Sequence, residues 1–96
     1  MAVVIWKKEL KVETINKVEL PVNSLILGVT VSLTKFGLLK PHLYFMTNND
    51  VTINDTRTIV TVGTGEAIEN SQSLRFIDSY SLKGGEFVAH VFEQTT

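Results

Sequence analysis

Between Leu25 and Leu33 the apolar residues Leu25, Leu27, Val29, Val31 and Leu33 alternate with Ile26, Gly28, Thr30 and Ser32. A repeat of two is the signature of a β-strand, whose successive side chains leave by opposite faces. The spacing makes this the clearest core strand, with a bulge or a close approach expected at Gly28, which has no side chain. Near the start, Val4, Trp6, Leu10 and Val12 point one way, and Lys7, Glu9, Lys11 and Glu13 point the other. That pattern predicts a half-buried strand, followed by a return strand over residues 16–20. Pro21, Val22, Asn23 and Ser24 have turn chemistry.

Residues 34–40 read as a loop around Gly37, and Pro41 as the first position of a strand running to Thr47. Residues 48–56 are polar enough for a loop, residues 57–62 form a strand, and residues 63–73 a long connection with one helical turn at 66–70. Two strands close the chain, Leu74 to Leu82 and residues 87–93. Gly84 and Gly85 between them supply the positive φ of a primed hairpin turn. Such a turn pairs Leu82 with Phe87 and Ser81 with Val88. One face then carries Leu74, Phe76, Tyr80, Leu82, Phe87, Ala89 and Val91, a core face. The other carries Arg75, Ile77, Ser79, Ser81, Val88, His90 and Phe92, which is mixed. A face of this kind is expected at a subunit interface or on a ligand floor, with Ile77, Val88 and Phe92 as the interface residues.

About seven strands result, with no long helix. The expected fold is all-β: a small antiparallel β-sandwich or partly closed barrel, one domain over residues 1–96. Composition agrees. Val, Ile and Thr make 30 of the 96 residues and Ala only 3, which favours pleated surfaces over helices. A net charge of -1 is at odds with a general nucleic-acid binder. The chain has no Cys, hence no disulfide framework and no thiol nucleophile. No apolar run approaches membrane-spanning length, and residues 2–6 are too short for a secretory signal, so a cytoplasmic protein with no membrane partner is expected.

Candidate chemistry is sparse. Gly63-Thr64-Gly65 follows a strand but lacks both the third glycine of a dinucleotide fingerprint and the Gly-Lys-Ser/Thr of a P-loop. What survives is a nest of backbone N–H groups able to hold an anion. Arg57 and Arg75 are the only arginines, each near the start of a strand. Two fork-shaped donors near one mouth of a barrel would suit a carboxylate or phosphate. His42 and His90 are too few and too isolated for zinc, and no nucleophile elbow is present. No cofactor and no catalytic residue is expected.

Several stretches resemble a family of small uncharacterised proteins of tailed phages and prophages. They are Ile5-Trp6-Lys7-Lys8-Glu9-Leu10, Val18-Glu19-Leu20-Pro21 with the strand after it, and Val62-Gly63-Thr64-Gly65. The last is Gly84-Gly85-Glu86-Phe87-Val88-Ala89-His90-Val91-Phe92-Glu93. The family often has His-Pro after Gly-Thr-Gly, where this chain has Glu66-Ala67. The resemblance implies a phage setting, the cytoplasm of a host cell and a β fold. In that setting the expectation is a non-enzymatic accessory protein that acts by binding. One form is counter-defence by sequestering an anionic, nucleotide-like small molecule, with Arg57, Gly63, Thr64, Gly65, Arg75 and His90 as the donors. The alternatives are a module that blocks a host defence or metabolic protein, or a minor virion component. A homo-oligomer is expected, with a dimer favoured.

Overall fold

The computed structural model describes residues 2–95 apart from the Lys83 side chain, so the two end residues of the expected 1–96 domain lie outside the described residues. Seven strands form: β1 (Val3–Glu9), β2 (Ile15–Pro21), β3 (Leu25–Leu33), β4 (Leu39–Asn48), β5 (Asn54–Gly63), β6 (Leu74–Leu82) and β7 (Phe87–Gln94). They make two antiparallel sheets, β1-β4-β3 and β2-β5-β7-β6. The chain changes sheet after β1, after β2 and after β4, so the two sheets share one core. Leu20 and Ile59 from the larger sheet and Leu43 from the smaller are fully buried in a single cluster. Of the two expected architectures the sandwich is the one formed, and it is not closed into a barrel. Among the described residues no helix is long and apolar enough to cross a membrane.

Alternation places the core where it is clean. In β2, Asn16, Val18 and Leu20 are buried while Ile15, Lys17 and Glu19 are exposed. In β4, Pro41, Leu43, Phe45 and Thr47 are buried. Pro41 is the third residue of β4, not the first. Its carbonyl accepts the Leu10 N–H at 2.9 Å. The N–H and C=O of a strand residue face the same side, so the nitrogen of Pro41 also faces the β1 side. The β1 ladder has already ended there, at the Glu9–His42 pair, and no bond to β3 is lost.

Three expectations need correction. β1 stops at Glu9, and Val12 is half exposed. The buried Asn16 side chain accepts from Lys11 N and donates to Lys11 O, both at 2.9 Å, and so turns the chain toward the second sheet. Secondly, the single helical turn of the long connection is a 3₁₀ turn at Ser71–Ser73, not at 66–70. Thirdly, two bulges reverse the face assignment along β3 and β6. The extra residue Leu27 sits between Ile26 and Gly28. Ile26, Val29 and Val31 therefore pack on the core, and Leu25 and Leu27 stay exposed. In β6 the extra residue is Ile77, which turns in to the core, while Phe76 turns out and meets Phe92 edge-to-face at 5.5 Å. One inserted residue inverts a period-two pattern from that point on.

The end of the β6–β7 hairpin is as expected. Gly84 and Gly85 have φ of 65° and 95°, and Leu82 pairs with Phe87 and Ser81 with Val88. The two long edges of the sandwich differ. On one, β3 lies against β6, and Asp78 Oδ2 accepts the Val29 N–H at 3.0 Å. A Cβ on Gly28 would come within 2.9 Å of that oxygen, so the close approach expected of Gly28 is real. On the other edge, among the described residues, β1 and β2 each pair with one neighbour only. A bond from Lys8 Nζ to the Glu19 carbonyl, at 3.2 Å, reaches between them.

Candidate functional site

The two arginines converge on a carboxylate, but it belongs to the chain itself. Glu93 near the end of β7 is only 6% exposed. Arg57 on β5 meets it with two parallel bonds, Nε to Oε2 and Nη2 to Oε1, the second at 3.0 Å. Arg75 on β6 adds Nη2 to Oε1 at 3.0 Å. The fork of Arg57 also donates from Nη1 to the Ser24 carbonyl at 3.1 Å, across to the start of β3. Hydrogen bonding from Arg57, opposed by burial and aided by Arg75, holds the Glu93 carboxyl below the usual range. The same pairing with Glu93 raises Arg57. A buried charge without partners would be costly, and here each buried charge has them. Arg75 stays two-thirds exposed, with most of its donors facing outward.

Gly63-Thr64-Gly65 is likewise supplied from within. The Gly63 N–H donates to Glu66 Oε1 at 2.7 Å, and Glu66 N returns to the Gly63 carbonyl at 3.1 Å. A Cβ on Gly63 would collide with that carboxylate. Gly65, at φ 89°, completes the turn. Thr64 Oγ1 lies 2.8 Å from His90 Nε2, and Ser79 Oγ lies 2.8 Å from His90 Nδ1. The imidazole thus bridges two hydroxyls in an exposed row. Among the described residues no carboxylate is bonded to it, and no His, Asp or Glu cluster could hold a metal.

The six expected donors therefore fall into two groups. Arg57 and Arg75 reach the buried Glu93 on the core side of the larger sheet, beside Ile59, its ladder partner. Thr64 and His90 are on its outer side, with the Gly63 and Gly65 turn beside them. Val88 and Phe92 share that outer side with Phe76, while Ile77 does not, since the β6 bulge turns it inward.

A different surface escaped the sequence reading: the outer face of the smaller sheet. Ile5, Met46 and Leu25 stand in register across its three strands. Val3, Ile5 and Leu25 are each more than half exposed. Past this apolar end, the β3–β4 hairpin and the end of β1 enclose a groove of about 460 Å³. Lys7, Lys35 and Lys40 line it together with Phe36, Leu38 and the buried His42. His42 Nδ1 is fixed by Ser32 Oγ at 2.8 Å and the Lys40 carbonyl at 2.9 Å. The only signal in the sequence is the cluster Phe36, Leu38 and Leu39 in the expected loop 34–40, just after Leu33 at the end of a strand.

By fold this is an open, two-sheet antiparallel β-sandwich whose polar clusters are satisfied internally and whose outer faces carry uncovered apolar residues. The chain belongs to the family described as Domain of unknown function (DUF7352), whose model matches residues 1–96. No curated protein and no solved structure matches the chain.

Proposed function

We propose that this domain is a non-enzymatic binding module, an accessory protein of the phage type, and that its ligand is a protein of the host cell. The observation that carries the proposal is the open β1 edge together with the apolar outer face beside it. β1 pairs only with β4, and Val3, Ile5 and Trp6 on it are all more than half exposed. An unpaired apolar strand edge is a template for another chain, and natural proteins usually blunt it. Here β2 is blunted by Lys17, Glu19 and Pro21, and β1 by charges only in its second half. Val3, Ile5 and Trp6 on β1 and Leu25 on β3 are uncovered large apolar side chains, and contiguous apolar surface of this kind marks interaction sites.

Capture of an anionic small molecule ranks second. A ligand would have to displace Glu93 from Arg57 and Glu66 from Gly63, or make do with the free side of Arg75. The test pairs two measurements. Affinity capture from host lysate should retain one protein on the wild type and lose it on Ile5→Lys, a change at an exposed position. Calorimetric titration against linear and cyclic nucleotides should be flat. A saturable nucleotide titration abolished by Arg75→Ala would overturn the proposal.

A further inference from the structure

Resting on the reading of the ligand as a protein, we infer that the groove between the β3–β4 hairpin and the end of β1 receives an extended acidic segment of that partner. Its size, about 460 Å³, suits a few side chains. Three of the seven lysines line it against one carboxylate, Glu9. No carboxylate lies within ion-pair distance of those lysines among the described residues. Arg57, by contrast, is held by Glu93, and Arg75 gives Glu93 one bond. The hairpin wall is apolar, with Leu33 62%, Phe36 78% and Leu38 56% exposed. Carboxylates flanked by apolar side chains complement a basic groove with an apolar wall.

The adjoining strand edge sets the direction. β1 reads Val3, Val4, Ile5, Trp6, then Lys7, Lys8 and Glu9, and its outer edge is unpaired. A strand added antiparallel to it, in the manner of sheet augmentation, meets Glu9, Lys8 and Lys7, a net positive end, before the apolar half. The complementary segment therefore has its acidic residues before its apolar ones. A second copy of this chain fits poorly, because two-fold docking at the groove sets lysines against lysines. Nucleic acid would find three lysines mixed with apolar residues, on a chain of net charge -1.

The test is fluorescence anisotropy with a labelled peptide whose first half is rich in glutamate and whose second half is rich in valine. Controls are the reversed peptide and one with lysine for glutamate. The glutamate-first peptide should bind best, its affinity should fall with salt, and K35E with K40E should weaken it roughly ten-fold or more. A thermal melt confirms that the double variant, altered at exposed or half-exposed positions, stays folded. Equal binding of the lysine peptide, no binding of the glutamate peptide, or retention by anionic phosphatidylserine vesicles in place of the peptide would each overturn the inference. If captured host protein survives K35E with K40E but not Ile5→Lys, the groove assignment fails while the protein-binding proposal stands. If no protein is captured at all, both fail.

Discussion

Replacing Arg57 by Ala would strip Glu93 of its two-bond partner and leave the Ser24 carbonyl without its donor. Glu93 is 8% and Arg57 18% exposed at the side chain, so water replaces little of what is lost. Breaking a buried pair from one side costs about 3–5 kcal/mol, because the remaining charge stays buried. Arg75 still donates to Oε1, which places the expected cost near the bottom of that range, about 3 kcal/mol. For a domain of this size that corresponds to a fall in Tm of roughly 12–24 °C. Arg75→Ala removes one bond from a side chain that is 67% exposed, and should cost under about 1 kcal/mol. Urea unfolding with a constant slope measures both.

The pH dependence follows from the sign of the Glu93 shift. Its folded pKa is lowered, chiefly by the Arg57 hydrogen bond. The associated stability is present above the unfolded carboxyl pKa, roughly 4.3, and is lost as pH falls through the folded value. The gap between wild type and Arg57→Ala should therefore be widest near neutrality and close below about pH 4. A gap that is the same at acid and neutral pH, or an Arg57→Ala no worse than Arg75→Ala, would refute this account of the cluster.

Four further outcomes are expected. Asp78→Ala leaves the Val29 N–H without its partner at the β3–β6 edge and should cost about 1–3 kcal/mol by urea unfolding. Ile77→Ala should destabilise by about 1–3 kcal/mol and Phe76→Ala by under about 1, since the bulge buries the first and exposes the second; the reverse order would refute the register. Asn16→Ala removes both bonds to Lys11 from a buried site and should cost about 1–3 kcal/mol, with faster amide exchange at Lys11 as the local check. If Phe76, Phe92 and Val88 form a dimer face, light scattering should report a dimer that Phe92→Asp dissociates; a wild-type monomer at micromolar concentration would remove that reading.

The class of fold is legible in the alternation along the chain, because alternation is a local property. A residue and its second neighbour lie on one face whatever the rest of the chain does. That was enough for the seven strands, the Gly84-Gly85 turn with its pairing, and the close approach at Gly28. It also marked Arg57 and Arg75 as unusual donors. What those donors hold depends on contacts between strands far apart in the chain. Glu93 lies 36 residues from Arg57 and 18 from Arg75 along the chain, and nothing in a period of two says which of ten acidic residues will be buried between them. Face assignment beyond each bulge was equally out of reach. Leu27 and Ile77 each add one residue to a ladder, and the partner strand sets where the extra residue goes. The basic groove needs β1 and the β3–β4 hairpin brought together through β4, a juxtaposition that pairing creates and spacing along the chain cannot express.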